Sequence, residues 1–166
     1  MSRSGQIPRR EDLPYRPSVG VMLFNREGLV FVARRIRQTI EGWQMPQGGI
    51  EPHESPEQAA LRELEEEIGT REATLLRVHP DWLSYDLPEH LLGVGLKGCY
   101  RGQRQKWLAM RFLGQDGDIN IRTAVPEFSE WRWLAIEALP RRLVPFKRDT
   151  YTKVIAVFHD LARPAN

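Results

Sequence analysis

The stretch over residues 48–69 reads GGIEPHESPEQAALRELEEEIG and joins a glycine-rich loop to the strongest helix signal in the chain. Ser55 can cap a helix, and Gln58 stands where it completes a capping box. Gly69 is a good stop, because glycine readily adopts the left-handed conformation in which helices end. The sequence therefore predicts a helix from Ser55 to Ile68.

Three glutamates of this helix fall on one face. At about 100° per residue, Glu63, Glu66 and Glu67 lie together, opposite the apolar side chains. Like charges at this spacing repel one another, and the one cation beside them is Arg62. A solvated acidic face would explain the helix taken alone. Hard divalent cations, however, require clustered oxygen ligands, and a bound cation would convert the repulsion into coordination.

The spacing of loop and helix resembles the Nudix box, a glycine, a glutamate, arginine-glutamate-aliphatic, paired glutamates and a final glycine at fixed offsets. The matching positions are Gly48, Glu54, Arg62-Glu63-Leu64, Glu66-Glu67 and Gly69, with Gly49 beside the first glycine. Thr70 departs from the usual aliphatic residue, but that position serves packing and not chemistry. The resemblance implies an α/β fold, an α/β/α sandwich with a central mixed sheet. It also implies metal-dependent cleavage of a diphosphate bond in a nucleotide substrate.

The same resemblance assigns roles to individual residues. Glu63, Glu66, Glu67 and Arg62 are the expected catalytic residues, and Mg²⁺ or Mn²⁺ is the expected cofactor. Glu66 and Glu67 are the strongest candidate metal ligands, Glu63 is a ligand or the general base, and Arg62 orients the glutamates. Two further expected ligands lie outside the helix, the carbonyl group of Gln47 and the carboxylate of Glu127.

The rest of the chain predicts a sheet covered on both sides. Short apolar runs predict strands, and an amphipathic pattern predicts a final helix. The predicted strands are residues 19–24 and 29–33 as a hairpin, 43–46 ending at a Gly-Gly turn, 75–78, 82–87, 107–113 and 128–134, and the final helix covers residues 149–161.

The sequences that flank the box resemble the bacterial RNA pyrophosphohydrolase branch, which also contains the dinucleoside polyphosphate hydrolases. The resemblance runs from about Tyr15 to Phe158. The RNA pyrophosphohydrolases of that branch remove phosphate or pyrophosphate from the 5′ end of triphosphorylated or diphosphorylated RNA, which promotes RNA decay. The candidate contacts to phosphates are four cationic residues, Arg16, Arg35, Lys106 and Lys147. The candidates to stack on a base are Tyr85 and Phe146.

Other functions stay open at this point. The nearest alternative is an asymmetric hydrolase of diadenosine tetraphosphate, which would use the same metal site. Less favoured alternatives are an enzyme that removes damaged nucleoside triphosphates, a non-catalytic nucleotide sensor on a Nudix scaffold, and a nucleic-acid-binding module without chemistry. The intact glutamates argue against the last two, since neither needs them.

Length and composition favour one domain at residues 15–162, between a flexible tail at residues 1–14 and a short tail at 163–166. No apolar run is long enough for a membrane span, so no membrane partner is expected. The single cysteine, Cys99, is expected to be partly buried and indicates a reducing, cytoplasmic setting. We expect a monomer whose partner is a nucleotide or an RNA 5′ end. A polar segment at residues 36–41 is expected to border the pocket.

Overall fold

The structure is a computed structural model, and it describes residues 8–36 and 41–166. Six strands and three α-helices form its framework. The strands are β1 (Tyr15–Phe24), β2 (Val30–Arg35), β3 (Gln47–Gly49), β4 (Ala73–Asp86), β5 (Gly102–Phe112) and β6 (Phe128–Leu134); the helices are α1 (Pro56–Ile68), α2 (Leu139–Arg142) and α3 (Arg148–Phe158).

The strands form one mixed sheet in the order β4-β5-β1-β2-β6, and β3 pairs with β1. The central pair, β1 and β5, is parallel, whereas the other pairs are antiparallel. Seven successive residues of β1, from Ser18 to Phe24, are buried. A strand covered on both faces needs no alternation of polar and apolar residues, which explains its continuous apolar run.

Apolar side chains fill two layers, one on each face of the sheet. On one face α1 packs Leu64 and Ile68 against Val21 and Leu108. On the other face α3 contributes Tyr151, Val154 and Phe158 to a cluster that contains Trp107. This arrangement is the predicted α/β/α sandwich, with helices on both sides of a mixed sheet.

Helix α1 begins and ends as its sequence predicts. The Ser55 side chain accepts a hydrogen bond from the backbone of Gln58 at 3.1 Å, and the Gln58 side chain accepts one from the backbone of Ser55 at 2.9 Å. Gly69 closes the helix with a φ of 78°, a left-handed conformation that glycine adopts without steric cost. These caps fix the ends of the helix that carries the glutamates.

Several predicted elements differ from the structure. The strand predicted at residues 43–46 lies instead at Gln47–Gly49, so the two glycines belong to a strand and not to a turn. Trp43 and Gln44 form isolated bridges to Leu143 and Ala33. The strands predicted at 75–78 and 82–87 form the single strand β4, whose register shifts between Val78 and Trp82. A bulge therefore explains the interruption of the pattern.

Two smaller predictions are also corrected. The final helix ends at Phe158 and continues as a 3₁₀ turn over His159–Leu161. Cys99 is exposed, not partly buried, because it lies in the irregular segment between β4 and β5.

Both chain ends contact the body of the fold where the structure describes them. Arg10 donates a hydrogen bond to the carbonyl oxygen of Leu87 at 2.9 Å. Near the other end, the backbone of Ala165 donates to the carbonyl oxygen of Arg26 at 2.8 Å. Residues 1–7 and 37–40 lie outside the described residues, and with them most of the segment predicted at 36–41. Among the described helices, none has the length and apolar character that a membrane crossing requires.

We expect Ser55→Ala to lower the free energy of unfolding by about 1 kcal/mol, because it removes the cap of α1. For a domain of this size, that loss lowers Tm by roughly 2–4 °C. Urea denaturation and thermal melting measure both quantities. Ser84→Ala, which changes an exposed serine of β4, is the control, and an equal loss in the two variants would contradict the assigned cap.

Candidate active site

Arg62 ties the glycine-rich loop to α1 through a forked set of hydrogen bonds. Its Nε and Nη2 atoms donate to the two carboxylate oxygens of Glu54 at 2.7 and 2.8 Å, and Nη2 also donates to the carbonyl oxygen of Gly49 at 2.7 Å. Its Nη1 atom donates to Glu63 at 2.9 Å and to Glu66 at 3.2 Å. The guanidinium group therefore holds Glu54, Glu63 and Glu66 by hydrogen bonds, and that it orients the catalytic glutamates stays a prediction.

Charge pairing with Arg62 keeps Glu54 ionised. The hydrogen bonds from Arg62 hold the pKa of Glu54 at about 2, below its ordinary value. In return, Glu54 and then Glu63 raise the pKa of Arg62 above its ordinary value. Bidentate arginine–carboxylate pairs have fixed geometry, so this pair stabilises the approach of the loop to the helix.

Glu63 is buried against the loop. Its side chain lies so close to Gly48 that a Cβ atom there would overlap the carboxylate group. Burial raises the pKa of Glu63 to about 7, Arg62 opposes the shift, and Glu66 and Glu127 add to it. The glycine of the motif therefore makes room for a carboxylate that titrates near neutral pH.

Glu67 is almost fully buried, with 2% of its surface exposed. Its pKa is raised well above the ordinary value by burial, and further by Glu127 and Glu63, whereas Arg35 opposes the shift. Its Oε2 atom is buried and has no hydrogen-bond partner among the described residues. The glutamates therefore do not form a solvated acidic face, because two of the three point into the protein.

Glu127 joins this cluster from the loop before β6, at a place far along the chain from the helix. Its negative charge raises the pKa of Glu67. The Glu127 carboxylate also lies 3.6 Å from the guanidinium group of Arg35. Glu66 completes the cluster and is exposed. The structure thus brings together the four glutamates that the sequence analysis named as metal ligands.

The donor set fits a divalent cation. Several carboxylates lie together, one of their buried oxygens has no partner, and hard cations take oxygen ligands. Within the described part of the chain, no three acidic or histidine side chains already converge on one point as ligands. Arg62 holds two of the carboxylates, so binding an ion requires side-chain adjustment. The role of the Gln47 carbonyl group stays a prediction; the Gln47 side chain accepts a hydrogen bond from Gln105 at 2.8 Å.

A cavity of about 640 Å³ opens beside the glutamates, between the sheet and the segment that precedes α3. Five of the six predicted substrate contacts line it, and Glu127 lies on its wall. These five are Arg16, Arg35, Tyr85, Phe146 and Lys147. A volume of this size suits a small organic ligand such as a nucleotide.

The aromatic and cationic groups of the cavity contact one another. The rings of Tyr85 and Phe146 lie 5.7 Å apart, tilted by 57°, and the Lys147 ammonium lies 5.1 Å from the centre of the Tyr85 ring. Lys147 is buried and donates a hydrogen bond to Gln44 at 3.3 Å. Burial lowers the pKa of Lys147 to about 7, and Arg35 lowers it further, whereas Glu67 opposes the shift. Lys147 is therefore a buried amine that loses its charge more readily than an exposed lysine.

Lys106 does not line this cavity. Its ammonium group donates a hydrogen bond to the carbonyl oxygen of Pro80 at 3.1 Å and lies 5.7 Å from the centre of the Trp82 ring. Side chains alternate between the faces of a strand, so Lys106 points to the opposite face from Gln103, which lines the cavity. A contact with the reacting phosphates gains no support from this position.

The sequence analysis missed four polar side chains of the cavity, which are Gln44, Lys97, Tyr100 and Gln103. Gln103 is buried and donates a hydrogen bond to the Tyr85 hydroxyl group at 2.5 Å. The available signal was the two glutamines at alternate positions, Gln103 and Gln105, which lie on one face of the strand directly before the apolar run of β5.

Comparison with known proteins identifies the family. A model of the NUDIX domain matches residues 14–154. The chain therefore belongs to the Nudix domain family, whose hydrolases generally use divalent metal ions.

Curated relatives are similar over nearly the whole chain. The RNA pyrophosphohydrolase of Rhodospirillum rubrum is 57% identical over 152 residues, which cover 92% of this chain and 92% of the relative. The RNA pyrophosphohydrolase of Rhizobium meliloti is 51% identical over 164 residues, which cover 92% of this chain and 98% of the relative.

Solved structures share the fold at lower identity. The E. coli dihydroneopterin triphosphate pyrophosphohydrolase matches with a TM-score of 0.61 at 19% identity, over 87% of this chain and 99% of that one. A binary complex of the C. elegans Ap4A hydrolase matches with a TM-score of 0.61 at 17% identity, over 87% and 98%. At these identities the likeness confirms the α/β/α fold.

The buried carboxylates should destabilise the metal-free protein. A raised carboxyl pKa means that the folded state keeps a proton that the unfolded state has released, so stability falls as pH rises from the ordinary value to the raised one. We expect Glu67→Gln to raise Tm in EDTA at pH 8 by roughly 2–4 °C, the shift that about 1 kcal/mol produces in a domain of this size. We also expect the variant to gain less stability from Mg²⁺ than the wild type.

Thermal melts at pH 6 and pH 8, with EDTA or with Mg²⁺, measure this effect. The control is Glu72→Gln, which neutralises an exposed glutamate outside the cluster. If Glu67→Gln leaves the metal-free Tm unchanged or lowers it, the Glu67 carboxylate carries no strain that a cation relieves.

Proposed function

We propose that this chain is an RNA 5′-pyrophosphohydrolase, which removes phosphate or pyrophosphate from triphosphorylated or diphosphorylated RNA ends and so promotes RNA decay. The observation that carries the proposal is the 57% identity to an RNA pyrophosphohydrolase over 92% of both chains. The cavity supports it, because cations for phosphates and aromatic rings for a base lie beside the carboxylate cluster.

The candidate ligands of the cation are the carboxylates of Glu63, Glu66, Glu67 and Glu127, with the Gln47 carbonyl group as a further candidate. Mg²⁺ and Mn²⁺ are the proposed ions, since both prefer oxygen donors. When bound, such an ion polarises the phosphoryl oxygens and lowers the pKa of a coordinated water.

The reaction requires water to attack phosphorus and the anhydride oxygen to leave with phosphate or pyrophosphate. Glu63 is a candidate either to bind the cation or to accept the proton of that water, because its carboxylate lies against Gly48 and accepts a hydrogen bond from Arg62 at 2.9 Å. Arg62 acts as a positioning residue, because its hydrogen bonds hold Glu54, Glu63 and Glu66. Arg16 and Arg35 offer forked donors that suit phosphate oxygens.

The aromatic side of the cavity is the proposed site for the first base of the RNA. Phe146 is partly exposed there and can stack on a base, whereas Tyr85 is buried behind it. Lys147 faces both rings and offers a donor to a base or a phosphate. Because RNA is made and degraded in the bacterial cytoplasm, we propose that the enzyme acts there. We also propose that it acts as a monomer.

We expect the purified protein with Mg²⁺ or Mn²⁺ to release phosphate or pyrophosphate from a short triphosphorylated RNA much faster than it cleaves diadenosine tetraphosphate. Both substrates are assayed side by side, with a monophosphorylated RNA of the same sequence as the control. Faster cleavage of the dinucleotide would assign the chain to the alternative activity with the same metal site. Binding without turnover of either substrate would indicate a nucleotide sensor.

We expect Glu66→Gln to preserve folding and to lower turnover by orders of magnitude at saturating Mg²⁺, because it removes a charged metal ligand and little packing. Turnover and the far-ultraviolet circular dichroism spectrum measure the two effects. Glu65→Gln is the matched control, since Glu65 is the preceding residue of α1 and pairs with Arg71 at 3.0 Å. Wild-type turnover in a folded Glu66→Gln protein would contradict the assigned metal site.

A further inference from the structure

One corner of the sheet is open on the face opposite the cavity. On β5, Gln103 lines the cavity and Trp107 packs under α3, so Arg104 and Lys106 point to the other face. That face is covered by α1 farther along the strand, where Leu108 is buried. At the corner itself, Arg104 is exposed and Lys106 is partly exposed.

Both cations lie close to one aromatic ring, that of Trp82. Trp82 pairs with Lys106 across the β4–β5 ladder, and Ser84 pairs with Arg104. The Arg104 guanidinium lies 4.8 Å from the centre of the Trp82 ring, and the Lys106 ammonium lies 5.7 Å from it. We call this surface the open corner, and it comprises Trp82, Ser84, Arg104, Lys106 and Pro17.

The positive charge of the open corner is not neutralised by ion pairs. Within residues 8–36 and 41–166, neither Arg104 nor Lys106 has a carboxylate within salt-bridge distance. Asp81, the nearby acid along β4, is exposed and pairs with neither. A structural role would not require two cations on one partly exposed ring. A single-stranded nucleic acid would use the cations for its phosphates and the ring for a base.

We propose that the open corner binds the RNA chain downstream of its 5′ end, as single-stranded RNA, with a base stacked on Trp82 or Arg104 and phosphates near Arg104 and Lys106. The proposal rests on the proposed function, since it assigns a second contact to the same substrate. Exposed sheet faces with aromatic and basic side chains are a common way to bind single-stranded RNA, because stacking tolerates any base. It also gives Lys106 a phosphate contact away from the reacting phosphates.

The cavity and the open corner lie on opposite faces of the same end of the sheet. Tyr85 and Gln103 line the cavity, and the residues next to them, Ser84 and Arg104, belong to the open corner. Along β5, residues 102–106 span only about 13 Å. An RNA strand that leaves the cavity therefore needs to pass around one end of the sheet to reach Trp82.

The sheet end between the two sites also carries cations and an aromatic ring. Arg101 lies 4.7 Å from the centre of the Tyr15 ring and pairs with Asp86 at 3.0 Å. Arg10 lies 3.8 Å from the same carboxylate. Two arginines share Asp86 there, and Glu11 also acts on Arg101, so the path offers arginine donors and the Tyr15 ring and no excess of positive charge.

The first test measures binding of a 5′-hydroxyl single-stranded RNA of about 12 nucleotides, within the length range that one such binding surface occupies. This probe lacks the reacting phosphates, so its binding reports contacts outside the catalytic cluster. Fluorescence anisotropy should show about tenfold weaker binding for Trp82→Ala and a smaller loss for Arg104→Ala. For Arg104→Ala, the slope of log Kd against log salt should fall by about 0.7. Trp82→Tyr should retain most of the affinity, since it keeps a stacking surface.

The matched control is Lys153→Ala, which removes one cation from α3 on the other face of the sheet; Lys153 pairs with Asp149 at 3.3 Å. It should bind the probe like the wild type. Thermal melting of each variant shows whether it is folded, and Arg104→Ala keeps the test valid if Trp82→Ala does not fold.

The second test compares kcat/KM for a triphosphorylated dinucleotide and a triphosphorylated RNA of about 12 nucleotides. Trp82→Ala and Arg104→Ala should lower the value severalfold for the longer RNA and leave it unchanged for the dinucleotide. Equal losses on both RNAs, or unchanged binding of the 5′-hydroxyl probe, would overturn the open corner as an RNA site while the proposed function stands. A wild type that hydrolyses neither RNA would overturn the proposed function itself.

Discussion

The interaction on which the site depends is the fork of hydrogen bonds from Arg62. It reaches the loop through the Glu54 carboxylate and the Gly49 carbonyl group, and it reaches the helix through Glu63 and Glu66. The turn between loop and helix has backbone and capping hydrogen bonds of its own, and the fork adds the direct link between the Gly49 carbonyl group and the carboxylates of α1. The fork positions the carboxylates of Glu54, Glu63 and Glu66. Lysine could not replace the fork, because a point charge cannot bridge separated acceptors.

Burial then turns this ordered cluster into a strained one. Glu63 and Glu67 are removed from water, and Arg62 and Arg35 do not offset both their burial and the charge of Glu127, so the pKa of each buried carboxyl group rises. A fold selected for stability alone would replace Glu67 by an apolar residue, since an unpaired buried oxygen costs free energy. Its presence makes sense if the ligand that relieves the strain is itself positively charged. Strain of this kind is typical of sites where function opposes stability.

The sequence predicted the parts of the molecule that local chemistry decides. The caps of α1, the hairpin of β1 and β2, and the amphipathic α3 depend on neighbouring residues and match the predictions. The burial of Glu67 was not predictable from a helical wheel, because it depends on which element packs against that face. The wheel placed the glutamates opposite the apolar residues, yet the loop and Glu127 enclose them. The strand at Gln47–Gly49 was missed for a related reason: glycines predict a turn locally, but here they allow close contact with β1 and Glu63.

For the candidate substrate residues too, the sequence shows which side chains are available, whereas the fold decides which of them lie together. Phe146 and Lys147 are neighbours in the chain, and their distance from Tyr85 is set by how the segment before α3 packs against the sheet. Lys106 looked equivalent to them in the sequence, but strand alternation places it on the far face. Side-chain alternation therefore divides the cations of β5 from those of the cavity. An enzyme for a small nucleotide needs the cavity alone, whereas an enzyme for a polymer has a use for both faces at one end of its sheet.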